Sequence, residues 1–474
     1  MTASAQGRTL SEKLLLGAAK VGTHAWPIVK HLFPEKLELD ENQSLWASQT
    51  PDYRPRMPLC ENEYADLAII GGGFTGVSTA YHFSRRYPEK RVVLLEAKSL
   101  ANGASGRNGG MLLNWLPSMY GYSPEMTLRI YRMTHAGIQM IAEIIQRHQL
   151  PVSYRMDGAL SIYTDAGRAE TAQDEAEFHQ RIGIPIRFLD MHTLRQELNL
   201  QGVYGAALDP NSGQINGAQF VRSLRPALEQ QGVAIYEQTP VIRIREGSTA
   251  VVETPYAEVK TKAVVLATNG YTGKLGYFQD AVFPLHSHVL ATAPLNAGAL
   301  ENLGWHTTAG YSDDRDRIAY SSLTREGHII FGGGSNQAYA YLFGNRTAYP
   351  NSPHSARGAF ESLVQIMNSY LPGSAKLPIA HRWTGVLGLT LNRNPLIGVR
   401  GEHRNIYYAI GYCGHGVTLA NIAGQILTDL YSDDDEKWQG LPFYRASHLP
   451  IPPEPFRWLG YQLFTRLTGQ SPRL

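Results

Sequence analysis

Residues 65–76 read ADLAIIGGGFTG. Leu67, Ala68, Ile69 and Ile70 make a short continuous apolar run, the pattern of a strand buried on both faces of a parallel sheet. Gly71, Gly73 and Gly76 follow in G-x-G-x-x-G spacing, and Phe74 and Thr75 open a helix that runs to about residue 86. RVVLLE, residues 91–96, is a second buried run. Strand, helix and strand within about thirty residues form a βαβ unit with a right-handed crossover. The first glycine permits a tight turn, the second lets the backbone approach a pyrophosphate, and the third lets helix and strand pack closely. The helix N-terminus adds free N–H groups and about half a unit of positive charge. Glu96 stands twenty residues beyond Gly76, where a carboxylate accepts hydrogen bonds from adenosine ribose hydroxyls. The alternative is a tight βα turn without a ligand. The preceding strand, the following helix and the acid favour a dinucleotide. An acid in place of an arginine argues against NADP and leaves NAD and FAD open.

The next segment separates those two. GASGRNGG, residues 103–110, offers Ser105, Arg107 and Asn108 among the glycines Gly106, Gly109 and Gly110. Such a loop, rich in N–H and side-chain donors, can wrap a second phosphate and approach a flavin ring, which a plain NAD domain does not need. Near the other end, GYCGHG places Gly411, Gly414 and Gly416 around His415. These glycines let the backbone come close to a flat ring. A helix starting near Val417 would aim its positive end there and stabilise negative charge. His415 reads equally as a turn histidine satisfied by local backbone and as a cofactor contact.

Taken together, AIIGGGFTG, LLEA, GASGRNGG, RWTGVLGLTLNRNPLIG (382–398) and NIYYAIGYCGHGVTLANIAGQILTDL (405–430) resemble the D-amino acid oxidase-like (DAO) superfamily of FAD-dependent oxidoreductases. The resemblance spans about residues 44–445, and within it the nearest likeness is to γ-glutamylputrescine oxidase-like proteins. It implies an α/β fold: an FAD-binding Rossmann-like domain of the glutathione-reductase type and a second, antiparallel-sheet substrate domain. It also implies FAD contacts from the glycine turn, from Glu96 and Ala97, from the 105–110 loop, from Val241 and Ala267, and from residues 411–417. The activity it implies is oxidation of a C–N bond in an amine or amino acid, with hydride passing to FAD and the imine hydrolysing afterwards.

Departures from the family pattern narrow the substrate. Glycine oxidase and D-amino acid oxidase carry an arginine two positions after the W-x-G glycine, a bidentate clamp for the substrate carboxylate. Here that position is Leu387. A simple α-amino acid held in that way is disfavoured; an amine, or an acid held elsewhere, is favoured. Arg393 is a candidate holder, or a structural brace. Tyr271, His328, Trp383 and His381 are candidate pocket residues, each with a structural role as the alternative. No catalytic acid or base is nominated, since hydride transfer from a neutral amine is served by alignment. Some sarcosine-oxidase relatives attach FAD through a cysteine; the matching stretch GVLGLT has none, so non-covalent FAD is expected. Those relatives also use a lysine above the flavin for oxygen, whereas GHIIFGGG offers His328 and no lysine. Electrons are therefore assigned to oxygen or to another acceptor such as a quinone.

Composition sets the remaining bounds. The 474 residues hold 43 Lys+Arg against 41 Asp+Glu, with no basic stripe of the kind that binds nucleic acid. Two cysteines, Cys60 and Cys413, allow neither a disulfide framework nor a cysteine metal site, and no metal is expected. The domain reading is an extension over 1–61, an FAD domain from 62–117, 203–284 and 381–445, a substrate domain from 118–202 and 285–380, and a tail over 446–474. Residues 10–33 are too charged and proline-broken to span a membrane. In the tail, Phe456, Leu459, Leu463, Phe464 and Leu467 share one helical face. That helix either docks on its own protein or lies in a membrane interface. The location expected is cytoplasmic, with peripheral attachment to the membrane as an option. Two rival functions stay open: a membrane-associated dehydrogenase of a secondary or cyclic amino acid that reduces quinone, and a non-catalytic flavin-binding subunit.

Overall fold

The computed structural model describes residues 13, 17–21, 37–116, 121–350 and 356–468. The first apolar run becomes the strand Glu63–Ile70, flanked by Val92–Leu95 on one side and Glu258–Leu266 on the other, all parallel. Leu67 lies opposite both Val92 and Ala263, so three apolar strands stack their side chains in register and are buried on both faces. Val233–Tyr236 extends the sheet beyond Val92–Leu95, and Ile406–Ile410 joins Glu258–Leu266 in parallel. An antiparallel ribbon, Arg243–Arg245 with Ala250–Glu253, closes the other edge.

The helix Phe74–Arg86 lies on this sheet, its whole inner face buried. Against it packs Gly416–Tyr431, the helix that follows the closing glycine turn. The two approach closely because Gly424 has no side chain: a Cβ there would stand 2.3 Å from Ser78 Oγ. A third helix, Pro124–Arg147, meets Gly416–Tyr431 through Gly137, where a Cβ would lie 2.2 Å from Ile422.

The second sheet centres on two long antiparallel strands, Phe283–Thr292 and Ile379–Leu389, with Leu285 opposite Leu387. Ile329–Gly333, Ala319–Leu323 and Gly310–Asp313 continue it, followed by Ala159–Tyr163, Gly205–Asp209 and Arg187–Asp190. Its pairings are antiparallel except Gly310–Asp313 with Ala159–Tyr163. Gly205–Asp209 and Ile379–Leu389 thus hydrogen-bond in this sheet, although the first, and the second from residue 381 on, fall in stretches read from the sequence as parts of the FAD domain. Apolar alternation marks a strand but does not name its partner.

Residues 37–59, expected as an extension, are woven into the nucleotide half. Trp46 Nε1 donates to the Asn108 carbonyl (2.7 Å), Ser44 Oγ to the Gly106 carbonyl (2.5 Å), and Tyr53 Oη to the buried Glu237 carboxylate (2.8 Å). At the other end, Phe456–Thr468 is a helix docked on the second sheet. Arg457 Nε donates to the Pro452 carbonyl (2.8 Å) and Tyr461 Oη to the Tyr339 carbonyl (3.1 Å). Most of the N-terminal stretch 10–33 lies outside the described residues.

Candidate active site

The end of the strand Glu63–Ile70, the turn after Glu258–Leu266 and the start of Gly416–Tyr431 converge on a cavity of about 1900 Å³. Drug-sized ligands occupy clefts of roughly 300–1,000 Å³. This space has room for a large cofactor and a substrate side by side.

Gly71, Gly73, Phe74 and Thr75 line one end. Gly71 is left-handed (φ +108°), and a Cβ there would stand 2.7 Å from the Ala267 carbonyl oxygen. At Gly73 a Cβ would lie 2.7 Å from Ser105 Oγ, and at Gly76 only 1.9 Å from the Gly71 oxygen. Gly73 caps the helix Phe74–Arg86 with no side chain, leaving N–H groups at its first turn open to the cavity. Ser105 Oγ accepts from Phe74 N (2.9 Å), which ties the second loop to the first.

Glu96 and Ala97 line the same end. Glu96 Oε2 accepts from Gly72 N (2.7 Å) and Oε1 from Lys98 N (3.0 Å). Burial pushes this carboxyl up to about 7, against the pull of those two N–H groups. Each oxygen keeps a lone pair for a ribose hydroxyl. Tyr271 lines the cavity beside Gly103, and its buried hydroxyl has no hydrogen-bond partner among the described residues. An orphaned buried donor facing such a space fits a bound polar group. A glycine cradle, an open helix N-terminus, a carboxylate and an orphan hydroxyl together suit an adenine dinucleotide.

Asn108, Gly109, Val241 and Ala267 also line the cavity. Gly106, Gly110 and Gly411 shape it from behind. A Cβ at Gly106 would meet the Ala101 oxygen at 2.2 Å, one at Gly110 the Trp46 ring at 2.5 Å, and one at Gly411 Thr390 at 2.8 Å. On the closing side stand Gly414, His415, Gly416 and Val417. His415 is the N-cap of Gly416–Tyr431 and makes no side-chain cap, so that helix also presents free N–H groups to the cavity.

Three expected site residues have other tasks. The Arg107 guanidinium is buried and donates to the carbonyls of Asn102 (2.6 Å), Asn42 (2.7 Å), Thr384 (3.0 Å) and Asp40 (3.3 Å). It fastens residues 40–42 and the second sheet to the loop, so a side-chain role at a phosphate is corrected to a structural one. Trp383 is fully buried and donates to the Arg107 carbonyl (2.9 Å); it shares a strand face with Gly385 and Leu387 but is not among the residues that line the cavity. His328 lies at the far end of its strand, with Nδ1 2.8 Å from the Thr292 carbonyl and its ring near His381. It precedes Ile329–Gly333, on the same side as Gly332 but two turns of the pleat further along, and does not reach the cavity lining.

Other residues form the wall unannounced by any motif. Tyr320 lies over Gly109, where a Cβ would be 2.6 Å from its ring, and its hydroxyl is 3.3 Å from Ser287 Oγ. Tyr412 Oη and Thr75 Oγ1 share a 2.7 Å hydrogen bond, which links the closing turn to the glycine turn. Asn269, left-handed at φ +43°, accepts from Gly411 N (2.9 Å). An asparagine ahead of a glycine at a strand end was the signal available for it. Leu387 does line the cavity, beside Leu285 and Leu389, and so does Arg393.

A family model for FAD dependent oxidoreductases, DAO, matches residues 66–430. Gamma-glutamylputrescine oxidoreductase of Escherichia coli (strain K12) is 30% identical over 425 residues, 87% of this chain and 94% of that protein. A probable oxidoreductase, OrdL, of Haemophilus influenzae is 26% identical over 80% of this chain and 86% of its own length. Among solved structures, glycine oxidase from Geobacillus kaustophilus superposes with a TM-score of 0.68 at 20% identity, covering 81% of this chain and 99% of that one. L-proline dehydrogenase from P.horikoshii gives 0.66 at 20% identity, covering 80% and 96%. With the nucleotide cradle and the match to the family model agreeing along most of its length, the chain belongs to the DAO family of FAD-dependent oxidoreductases and is an enzyme.

Proposed function

We propose that this enzyme oxidises a C–N bond of an amine, and that any carboxylate on the substrate lies away from the reacting carbon, as it does in γ-glutamylputrescine. The observation that carries this reading is the wall of the second sheet. Leu387 and Leu285 lie opposite each other in register and both line the cavity, so an apolar surface stands where a carboxylate clamp would be needed. Desolvating a carboxylate against leucines without a partner is costly. Arg393 supplies the polar counterpart. It lines the cavity near the mouth, and its guanidinium makes no hydrogen bond or ion pair with a described residue. A remote carboxylate held there leaves the amine end free to enter between Leu387 and Tyr320.

Bound FAD supplies the hydride acceptor. The residues of this chain bind and orient. The turn over 71–76 and the first turn of Phe74–Arg86 suit the pyrophosphate, Glu96 the ribose, and the start of Gly416–Tyr431 stabilises negative charge that develops on the ring side. Non-covalent attachment belongs to the same reading. Burial pushes the Cys413 thiol up, with its sulfur 3.4 Å from Thr390 N, and a protonated thiol is a poor nucleophile. Oxygen or another acceptor, a quinone among them, takes the electrons on.

Anaerobic mixing of the flavin-loaded protein with γ-glutamylputrescine, putrescine, glycine and L-proline tests the reading. Bleaching of the flavin band by the first, weakened in Arg393→Ala through a higher apparent Kd, is expected. Bleaching by glycine or proline alone would overturn it.

A further inference from the structure

The helix Phe456–Thr468 carries apolar side chains on two sides: Trp458 and Tyr461 pack against Leu285, Tyr339 and Tyr341, while a second apolar stripe faces outward. Its buried residues are Arg457, Thr465 and Thr468, with Tyr461 half-buried beside them. Its exposed residues include Phe456 (46%), Leu459 (53%), Leu463 (53%) and Leu467 (49%). At 3.6 residues per turn these four fall within about 80° of arc and form one apolar ridge. A surface helix of a globular domain turns such a stripe inward. Phe464, expected on this stripe, instead lies on the docked side under the Arg317 guanidinium, 5.1 Å from ring centre to carbon.

Cations flank the ridge, and the nearest carboxylate in the cavity lining, Asp316, stands beside Arg317 on the docked side. The helix carries no carboxylate, and Arg466 on its flank is exposed. Lys13 and Val21 line the cavity mouth alongside Phe456 and Leu463, and Lys13 and Lys20 are exposed. Four side chains of this size at about half exposure present on the order of 400 Å² of apolar surface, about half of what one partner brings to a standard protein interface. A narrow apolar ridge flanked by cations fits a headgroup layer better than a second copy. Interfacial helices sink such a face roughly 5–10 Å into a bilayer, with lysine and arginine at the phosphates.

We infer that the ridge Phe456–Leu459–Leu463–Leu467 docks this enzyme on an anionic lipid surface, with the mouth of the flavin cavity turned toward that surface. The cavity's own lining supports the orientation: Leu463, Ile451, Leu391 and Leu389 continue the apolar surface inward to Leu387.

The test is co-sedimentation of the full-length, flavin-loaded enzyme with vesicles of phosphatidylcholine alone and of phosphatidylcholine with phosphatidylglycerol. Binding to the anionic vesicles is expected, weakened by high salt. In the double variant Leu459→Glu, Leu467→Glu it should fall on the order of tenfold or more while flavin content, melting temperature and turnover of a soluble amine stay as in the parent. Arg466→Glu, a surface change, should lower binding to the anionic vesicles alone. Indifference of the parent enzyme to both vesicle types would overturn the inference. So would undiminished binding by the double variant, or a parent dimer that the double variant converts to monomer, since a second copy would then cover the ridge. Vesicle binding, flavin content, melting temperature and oligomeric state need no substrate, so the inference stands or falls apart from the amine assignment.

Discussion

Replacing Gly76 with alanine probes the cofactor cradle through steric contact alone. The added Cβ would sit 1.9 Å from the Gly71 carbonyl oxygen and 3.1 Å from its carbon, both backbone atoms. Relief requires the first turn of Phe74–Arg86 to move away from the strand end by about 1 Å or more. The helix has nowhere to go. Its opposite face is pinned by the hydrogen bond from Ser78 Oγ to the Asn421 carbonyl, and Gly424 leaves no slack, since even a Cβ there would overlap Ser78. Overpacking of this kind costs about 1–3 kcal/mol. The displaced atoms are the N–H groups that face the pyrophosphate, so the cost falls on FAD binding as well as on folding. At 1.4 kcal/mol per decade, FAD affinity should drop roughly 5- to 150-fold. Titrating the apo-variant with FAD by flavin fluorescence, beside a thermal melt of the apo-protein, separates the two effects. A Gly76→Ala protein with parental affinity and parental melting temperature would refute the close-packing argument.

Gly358, in the helix Arg357–Tyr370, makes the reciprocal case: a Cβ there meets nothing within 4 Å, so Gly358→Ala should stabilise the protein by about 0.5–1 kcal/mol, read as a higher melting temperature. Arg107→Ala strips the donor from four carbonyls, two of them in fully buried hydrogen bonds, and should destabilise by about 3 kcal/mol, with the apo-protein melting earlier even without FAD, whereas a purely phosphate-binding arginine would leave the apo melt unchanged. Glu96 has its folded-state pKa raised to about 7 from an ordinary 4.5, so the folded state binds its proton more tightly than the unfolded one. Stability of the apo-protein should therefore fall as pH rises between those two values and level off above, and Glu96→Gln should flatten that part of the profile in urea titrations run across pH.

Local chemistry wrote the nucleotide half plainly. G-x-G-x-x-G at 71–76 is legible because each glycine answers a contact that any side chain would violate, and those contacts lie within one strand–turn–helix unit. The expected helix over 74–86 and the observed Phe74–Arg86 coincide for the same reason. The closing turn at 411–416 was similarly readable from its glycines. The other site calls for side chains rather than backbone, and there reading failed at particular residues. Arg107 sits in a donor-rich loop, yet its guanidinium is spent on carbonyls of residues 40, 42 and 384 that only folding brings near. Tyr320 and Ser287 face the cavity from two strands whose sequences contain nothing but alternation.

What the sequence by itself determined is therefore the glycine-rich strand–turn–helix unit and the α/β class, because these depend on residue type and short-range spacing. Only the tertiary structure decided which face of Phe456–Thr468 turns outward. The periodicity marks an apolar stripe, but whether it is buried depends on what Arg457, Tyr461 and Thr465 find on the sheet behind them, and those partners, the carbonyls of Gln279 and Tyr339 among them, lie more than a hundred residues away.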